Sequence, residues 1–597
     1  MSPFRYCDLI ASPAYARASE RVVRQLVEAL LFEQAFTDAR WQDGTLQLAG
    51  QDRHGQAVRY HAPALTTFSF GRIRLTAPVQ RTDASGLTTA ARDPAQLLAE
   101  LAGQLPADAL RLQQFAAELL ATQIKDAQTL HARQGEVLRE QSYDWIEARL
   151  TGSHPYHPSY KSRLGFTLAD NAAYAPETAA AVHPILLAVQ RTAARAALAQ
   201  DMHAMSPRHD GPLLAPQDQQ AWYAELEKRG LAPQDYLPLP VHPWQWEEII
   251  APTCHTALAT GELQWLGPMR QGFLPQQSIR TLASLDDPAR ACLKLSMNLV
   301  NTSTSRVLAP HTVMNAAPIS DWLQALVQAS AWPAPMRAPV LLREFAGISY
   351  TSATPVAGQY GALACIWRES IHPHLAPNEQ AVPMTALLHI DGDGRPFIDP
   401  WIARHGLQAW LQALLERAWL PVLHLLWSQG VALESHAQNM LLLHEQGWPQ
   451  RVALKDFHDG VRFSTALLQG PPPALTAPPA EHVRINPNSF LHTDDAAELR
   501  DFCFDALFFV NLAELAWLLD RYYALPQAQF WQITARVLLD YQQQHPELAA
   551  RFALFDCFAP EVDIEMLASR RFQPEIRLRT RAVANPLAQA RQALEPT

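Results

Sequence analysis

Several segments of the 597-residue sequence combine ionisable and hydrogen-bonding side chains at spacings that could support chemistry. The first, Gly152–Phe166, has the sequence GSHPYHPSYKSRLGF. Its two His-Pro steps favour extended backbone and place His154 and His157 on a stiff loop, shortly before Lys161 and Arg163. Two histidines three residues apart could ligate a metal, although the prolines break the helix that would aim both at one ion. A structural loop and an anion or phosphate site are the other interpretations, and we favour the anion site.

A second group of residues interleaves hydroxyl groups with cations. Leu293, Leu295, Met297 and Leu299 alternate with polar residues, which predicts a half-buried strand whose polar face carries Lys294. Guanidinium and ammonium groups beside hydroxyl donors suit a carboxylate or phosphate ligand. The candidate residues for such a polyanion site are Ser278, Arg280, Thr281, Lys294, Thr302 and Arg306. The alternative is a solvated strand face.

Two further segments, VALESHAQNMLLL (431–443) and RVALKDFHDG (451–460), are separated by a turn. A polar loop, a short hairpin and an acidic Asp-Phe strand end follow one another, which is the order found in protein kinases. The polar side chains are Glu434, His436, Gln438 and Asn439 in the loop, and Asp456 and Asp459 after the second strand. Oxygen ligands of this kind suit a Mg²⁺–nucleotide site. The alternative is that the order of loop, hairpin and acidic strand end is a structural coincidence.

Missing motifs and composition exclude several classes of protein. The sequence lacks GxxxxGK[ST], GxGxxG before a helix and GxSxG, which disfavours a P-loop enzyme, a Rossmann dehydrogenase and an α/β-hydrolase. The Asp391–Gly394 turn fails as an EF-hand because Arg395 replaces an oxygen ligand. With 48 basic and 58 acidic residues, the net charge of −10 disfavours a nucleic-acid partner. Six scattered cysteines and the start MSPFRYCDLI, which lacks a signal pattern, predict a cytoplasmic protein.

Hydrophobic periodicity predicts an α+β protein that is divided into three domains. The predicted N-terminal domain, 1–150, contains helices and an antiparallel meander, and a Gly-Ser-His-Pro boundary follows it. The predicted helices are 19–36, 94–105, 107–121, 123–150, 178–198 and 217–229. The predicted strands are 45–48, 57–61, 68–75, 236–241, 274–279, 291–297 and 340–344. A domain over 151–380 would carry the anion-binding strands, and a mainly helical domain over 381–597 would carry the polar loop and hairpin.

The last third of the sequence also predicts a hairpin at 384–401, around Asp391–Gly394. Its two most apolar stretches, Leu411–Leu433 and Phe502–Leu525, carry charges at helical spacing, so we expect core helices and not membrane spans. The proline-rich segment 470–479 is expected to form an exposed loop.

Taken in order, these motifs resemble those of the NRPS-independent siderophore synthetases, the aerobactin synthetase IucA/IucC family. The resemblance covers nearly the whole chain from about residue 140 and includes PVHPWQ (240–245) and a C-terminal NPL (585–587). It implies a cupped-hand architecture of thumb, fingers and palm, with antiparallel sheets flanked by helices and a kinase-like hairpin in the palm. The implied reaction uses ATP and Mg²⁺ to adenylate a carboxylate, usually of citrate, and then transfers the acyl group to an amine or alcohol.

The resemblance also implies roles for individual residues. The ATP-binding residues would be His157, Lys161, Ser278, Arg280, Thr281, Lys294, Gln438 and Asp456, with His157 and Lys161 contacting the phosphates and Gln438 near the nucleotide. The carboxylate substrate would be held by Thr302, Arg306 and His436, and the catalytic residues would be Arg280, Arg306 and His436. Magnesium would be held by Glu434, Asn439 and Asp456. Where the family pattern suggests a lysine near the C-terminus, this sequence has Arg570 and Arg571.

The sequence therefore predicts an AMP-forming ligase that acts on a small polycarboxylate such as citrate, 2-oxoglutarate or a citryl intermediate. Homodimers are common in the resembled family, and no membrane or nucleic-acid partner is expected. Two rivals are a kinase-like phosphotransferase, which would use the same hairpin and Asp456, and a non-catalytic citrate-binding protein, which would use the cations alone.

Overall fold

The computed structural model describes residues 6–133, 135–152, 154–205, 213–302, 304–352, 354, 356, 358–573 and 579–595. These residues form a mixture of helices and mainly antiparallel sheets, as the sequence predicts. The cupped-hand arrangement and its thumb, fingers and palm stay predictions, as do the domain boundaries at 150 and 380.

The N-terminal part packs helices against an antiparallel sheet. Its helices are α1 Tyr6–Ile10, α2 Pro13–Phe32, α3 Pro94–Glu100, α4 Ala109–Ala132 and α5 Tyr143–Arg149. Its strands are β1 Ala39–Gln42, β2 Thr45–Gln51, β3 Ala57–Thr66, β4 Ile73–Leu75, β5 Gln80–Thr82 and β6 Thr88–Ala90. The predicted meander is confirmed, since β3 pairs with β2, β4 and β5. Helix α2 begins at Pro13, earlier than predicted, because Ser12 caps it by accepting a hydrogen bond from the main-chain N–H of Tyr15.

The middle third is built around two sheets. Its helices are α6 Leu168–Tyr174, α7 Gln200–Met205, α8 Pro216–Lys228, α9 Pro243–Gln245, α10 Ala251–Thr253, α11 His255–Thr260 and α12 Pro310–Ala329. Its strands are β7 Ile185–Gln190, β8 Ala194–Leu198, β9 Tyr236–Val241, β10 Leu263–Pro268, β11 Phe273–Pro275, β12 Thr281–Ser284, β13 Cys292–Leu295, β14 Met297–Asn301, β15 Thr304–Arg306, β16 Val340–Leu341, β17 Glu344–Tyr350 and β18 Ala364–Arg368. One sheet has the order β10-β7-β9 and the other β11-β12-β13-β18-β17-β8.

The helix predicted over 178–198 is wrong, because this segment contains β7 and β8. Strand β7 lies between β9 and β10, and four consecutive side chains from Leu186 to Val189 are buried. A short apolar run without alternation does not distinguish a buried strand from a helix. The prediction of continued helix over 123–150 is also wrong in part, since α4 ends at Ala132 and α5 begins only at Tyr143.

The last third is mainly helical around a four-stranded sheet of order β16-β22-β21-β19, in which β16 and β22 are parallel. Its strands are β19 Gln380–Pro383, β20 Val431–Leu433, β21 Met440–Glu445, β22 Trp448–Leu454, β23 Val461–Phe463, β24 Glu561–Glu565 and β25 Thr580–Ala584. Its helices are α13 Asp399–His405, α14 Leu407–Leu414, α15 Leu420–Gln429, α16 Ala480–Ile485, α17 Ala496–Phe504, α18 Ala513–Tyr523, α19 Gln527–Gln544, α20 Ala549–Leu554 and α21 Pro586–Leu594. Single π-helical segments join α14 to α15 and α17 to α18.

The hairpin predicted over 440–454 is confirmed as β21 and β22, whereas its likeness to a kinase hairpin stays a prediction. The hairpin predicted over 384–401 is wrong: a single antiparallel bridge joins Ile390 to Pro396, and helix α13 begins at Asp399. The turn at Asp391 is held instead by tertiary contacts, because its Oδ1 accepts a hydrogen bond from the main-chain N–H of Leu138.

One continuous hydrophobic core joins the two ends of the chain. It includes side chains from Val22 in α2 through Ala590 in α21, and a second core lies within residues 182–367. Among the described residues, one helix, Ala496–Tyr523, is long and apolar enough to cross a membrane, and 78% of its most apolar window is buried inside the protein. Both predicted core helices are therefore confirmed as parts of the main core.

Candidate active site

Lys294 is carried by β13 into the interior of the protein. The two faces of β13 are buried, and only 3% of the Lys294 side chain is exposed. Its Nζ donates a hydrogen bond to Asp456 Oδ1 at 2.8 Å and lies 3.6 Å from Glu344 Oε1. The alternative of a solvated strand face is therefore wrong. The strand predicted over 291–297 is interrupted at Ser296, after which a second strand, β14, begins.

Asp456 follows β22 and connects the hairpin to the cations of the large sheet. Its φ of 67° lies in the left-handed region, which turns the chain sharply at this residue. Its Oδ1 accepts hydrogen bonds from Lys294 and, at 2.9 Å, from Nη1 of Arg368. Burial would raise the pKa of Asp456, but Lys294 and Arg368 hold it well below its ordinary value, so the carboxylate is ionised.

Ser278, Arg280 and Thr281 lie in and just after the tight turn between β11 and β12. The hydroxyl of Ser278 donates a hydrogen bond to the hydroxyl of Thr281 at 2.7 Å. Arg280 Nη1 donates to the main-chain oxygens of Arg306 at 3.0 Å and Val307 at 3.1 Å. These contacts bring the two predicted anion-binding segments together.

Arg306 lies at the end of β15, which pairs with β14. Its Nη2 donates to Thr302 Oγ1 at 2.8 Å and to the main-chain oxygen of Asn301 at 2.9 Å. Its Nε is buried and has no hydrogen-bond partner among the described residues. Burial and the neighbouring charge of Arg280 lower the pKa of Arg306 to about 10, which leaves it charged at neutral pH.

His157 is buried behind this strand pair, as part of the predicted His-Pro loop. Its Nδ1 accepts a hydrogen bond from the main-chain N–H of Ser159 at 3.2 Å, and Ser159 Oγ donates to the main-chain oxygen of Thr302 at 2.9 Å. Burial lowers the pKa of His157 well below its ordinary value, and that of His154 to about 3, so both rings are neutral. Within the described residues no group of three or more His, Cys, Asp or Glu side chains is placed to hold a metal ion.

Lys161 is engaged in an internal ion-pair network. Its Nζ is 2.7 Å from Asp126 Oδ1 and 3.3 Å from Glu177 Oε1, and its side chain is 1% exposed. Arg163 pairs with the same Glu177 at 2.9 Å. This network anchors the His-Pro loop to α4, and contact between Lys161 and phosphate would require its ion pairs to break.

The polar loop between β20 and β21 faces the same region. The main-chain N–H of Glu434 donates to the oxygen of Gly460 at 2.9 Å, which places Glu434 beside the turn that contains Asp456. Asn439 Nδ2 donates to the main-chain oxygen of Glu434 at 3.0 Å, and His436 Nε2 lies 3.9 Å from Glu434 Oε2. Gln438 lies in the same turn of 3₁₀ helix as Asn439 and is partly exposed.

Direct contacts bring these groups together at one place in the fold, the candidate cleft. Thr281 pairs with Lys294 across β12 and β13, and Lys294 binds Asp456. The main-chain N–H of Lys455 donates to the main-chain oxygen of Asn439 at 3.1 Å, which joins the polar loop to the turn that contains Asp456. The structure thus brings together residues from the predicted loop, strands and hairpin, whereas Lys161 is engaged elsewhere. The chemical roles of these residues stay predictions.

Several residues of the cleft were not predicted. Arg368 reaches Asp456 from β18 and is fixed by Gln276 Oε1 at 2.6 Å, and Glu344 contacts Lys294 from the start of β17. No motif marks either residue in the sequence, because sheet pairing alone brings them here. Arg571, which the sequence already marks where the family pattern suggests a lysine, pairs with Glu118 at 2.8 Å and donates to the main-chain oxygen of Thr302 at 3.5 Å.

Comparison with known proteins places the chain in a family. Residues 142–389 match the model described as IucA / IucC family, and residues 408–580 match one described as ferric iron reductase FhuF-like transporter. A Staphylococcus aureus protein is 38% identical over 96% of this chain and 93% of its own length. It is named 2-[(L-alanin-3-ylcarbamoyl)methyl]-3-(2-aminoethylcarbamoyl)-2-hydroxypropanoate synthase.

A second relative, from Bacillus anthracis, is 33% identical over 98% of this chain and 95% of its own length, and is named citryl-spermidine/3,4-dihydroxybenzoyl-citryl-spermidine:spermidine ligase. The crystal structure of petrobactin biosynthesis protein AsbB from Bacillus anthracis str. Sterne matches with a TM-score of 0.91 and 32% identity, covering 98% of both chains. The chain therefore belongs to the IucA/IucC family of NRPS-independent siderophore synthetases, as its motifs predict.

Proposed function

We propose that this protein is an ATP-dependent ligase of siderophore biosynthesis that joins a small polycarboxylate to an amine or alcohol. The observation that carries the proposal is the set of contacts that brings Arg280, Lys294 and Arg306 together with Asp456 and the loop of His436. The names of the relatives support it, because they describe a synthase whose product carries two carbamoyl groups and a ligase that acts on citryl-spermidine and spermidine.

In the proposed first step, a carboxylate oxygen attacks the α-phosphorus of ATP, and the bond to pyrophosphate breaks. Two anions must approach each other, so positive charge has to neutralise both and hold them in line. Arg280 and Lys294 supply that charge from buried positions and Arg306 from a partly buried one, where it is screened less than in water. Among the described residues the buried Nε–H of Arg306 has no hydrogen-bond partner, so it is suited to donate to a carboxylate oxygen.

The residues proposed to hold magnesium are Glu434, Asn439 and Asp456. Their donor set fits Mg²⁺, which prefers oxygen ligands and usually retains several waters. Asp456 is ionised in the cleft. The side-chain nitrogen of Asn439 donates to the main-chain oxygen of Glu434, so the side-chain oxygen of Asn439 would be the ligand. Bound there, the ion would neutralise phosphate charge.

In the proposed second step, a neutral amine nitrogen or a hydroxyl oxygen attacks the acyl carbon, and the bond to AMP breaks. The attacking group loses a proton in forming the amide or ester. No protein nucleophile is required in either step, because the reaction with ATP converts the carboxylate into an acyl-adenylate, whose acyl carbon is already activated. We further propose a cytoplasmic enzyme, a cupped-hand arrangement of its domains and a homodimer, as in the resembled family.

The nucleotide product tests this function against the rival phosphotransferase. We expect AMP and pyrophosphate when the protein is incubated with Mg-ATP, a panel of carboxylates and a panel of amines, and we expect a condensed product by mass spectrometry. ADP with a phosphorylated product would instead establish the kinase-like reaction. Binding of citrate without any nucleotide product from the full panel would establish the non-catalytic alternative.

A further inference from the structure

The carboxylate of Glu344 is the most deeply buried acidic group that contacts the cleft cations. It lies at the first residue of β17 and 0% of its side chain is exposed. An ionised carboxylate in such a place costs several kcal/mol unless its partners compensate for the lost water. Its partners therefore indicate what the residue holds in place.

Both oxygens of Glu344 contact a single residue of the turn after β22. Glu344 Oε2 accepts a hydrogen bond from the main-chain N–H of His458 at 3.0 Å, and Oε1 lies 2.6 Å from His458 Nδ1. The main-chain N–H of Glu344 donates to Ser320 Oγ at 2.9 Å, which ties the start of β17 to α12. The turn is thereby fixed to the large sheet through its main chain as well as through a side chain.

The same carboxylate also contacts the lysine of the cleft. Glu344 Oε1 lies 3.6 Å from Lys294 Nζ, and that ammonium donates to Asp456 Oδ1 at 2.8 Å. His458 is only two residues after Asp456, so Glu344 contacts both the ammonium and the turn that carries its partner carboxylate. Strands β13 and β17 both pair with β18, which fixes the origin of each side chain.

We propose that Glu344 is a positioning residue for the ligase reaction, setting the Lys294 ammonium and the turn after Asp456 at a fixed separation. This proposal rests on the proposed function, in which Lys294 contacts phosphate and Asp456 holds magnesium. Reacting groups must be held to within about 0.5 Å of their productive geometry. One carboxylate with two buried partners provides that constraint without contacting the substrate.

Two substitutions separate positioning from folding. Glu344→Gln keeps an oxygen that can accept from His458 but loses the attraction to Lys294, and Glu344→Asp keeps the charge on a shorter side chain. We expect Glu344→Gln to lower kcat by about 100-fold, since a shift of ~1 Å has that effect. The KM for the carboxylate should stay within about threefold, and Glu344→Asp should recover part of kcat.

Glu379→Gln is the matched control. Glu379 is also buried and accepts from Arg451 at 2.7 and 2.9 Å, but its ion pair lies beside β19 and contacts none of the cleft cations. We expect its kcat to equal that of the wild type. A loss of kcat in Glu344→Gln no larger than that in Glu379→Gln, per folded molecule, would overturn the proposal.

Equilibrium binding of Mg-ATP gives a second readout that needs no turnover. Glu344→Gln should weaken binding at least about threefold in the wild-type background and have no further effect beside Lys294→Met, because coupled residues are non-additive. Equal weakening in both backgrounds would contradict positioning through Lys294. Glu344→Asp replaces Glu344→Gln in this cycle if the latter does not fold. A wild-type protein that binds Mg-ATP but releases no AMP refutes the proposed function and leaves this binding cycle interpretable.

Discussion

Arg306 shows how much of the candidate chemistry depends on one side chain. Its guanidinium is anchored at Nη2 by Thr302 and Asn301, while its Nε is buried and has no hydrogen-bond partner among the described residues. An anchored guanidinium with an unused donor is preorganised, because the protein has already restricted its motion before a ligand arrives.

Arg306→Ala should lower carboxylate-dependent AMP release at least about 100-fold, since preorganised donors of this kind contribute that much to turnover. Arg306→Lys keeps a charge but loses the planar fork, and we expect an intermediate rate. The measurement is the initial rate of AMP release, with Arg92→Ala as a control because Arg92 forms an exposed ion pair with Glu20. Near-normal turnover of Arg306→Ala would remove this residue from the site.

His436→Ala should raise the KM for the carboxylate more than the KM for ATP. His436 lies beside Glu434 and its side chain is 24% exposed, so the substitution opens the substrate side of the cleft without creating a buried cavity. The two KM values, measured at saturating concentrations of the other substrate, distinguish this role. An equal change in both would contradict a position beside the carboxylate.

At the scale of elements, sequence reasoning succeeded where local signals are strong. The meander, strand β9 and the hairpin of β21 and β22 were predicted because alternation, turns and capping residues are local. It failed for β7, which is buried between two neighbours and shows no alternation. The positions of Arg368 and Glu344 could not be predicted either, because pairing of distant strands brings them to the cleft.

Helix α5 is held to the 3₁₀ turn His372–His374, which follows β18, by an ion pair whose strength depends on pH. His372 Nε2 lies 2.7 Å from Asp144 Oδ2, and this hydrogen bond raises the pKa of His372 although burial opposes the change. Because the pKa is higher in the folded state, the stabilisation is complete below about pH 6.5 and is lost as pH rises through the folded-state pKa.

His372→Gln should therefore destabilise the protein by about 0.5–1 kcal/mol near pH 5.5 and by less near pH 9, a size typical of a partly exposed pair. Urea denaturation of wild type and variant at both pH values measures the difference. His405→Gln is the control, since the His405 ring contacts a main-chain oxygen of Gln446 and not a carboxylate. A difference that is the same at both pH values would contradict the ionic origin.

At the scale of the whole molecule, buried ion pairs join the N-terminal sheet to the C-terminal helices. Glu514 in α18 lies 2.6 Å from Arg72 Nη2 and 2.8 Å from Arg74 Nη2, and all three side chains are less than 10% exposed. These contacts span more than 400 residues of sequence, which is why no local pattern predicted them.

Glu514→Gln should lower stability by about 3–5 kcal/mol, because it leaves two buried guanidinium groups with too little negative charge. The midpoint of urea unfolding, followed by tryptophan fluorescence, measures this loss. Glu20→Gln removes an exposed pair with Arg92 and should cost less than about 1 kcal/mol. Equal midpoints for the two variants would show that the buried network adds nothing beyond a surface contact.

The core shared by α2 and α21 also determines the order in which the chain can fold during synthesis. Apolar side chains of Val22, Leu26 and Leu30 pack in the same cluster as residues beyond 500, which leave the ribosome last. Helix α4 covers part of α2 early in synthesis, but Phe32 at the end of α2 stacks on Phe509 and lacks this partner until late in translation. Such exposed apolar surface promotes aggregation. Recombinant yield should therefore respond to slower elongation and to chaperone supply, and fragments that end before α18 should accumulate as insoluble material.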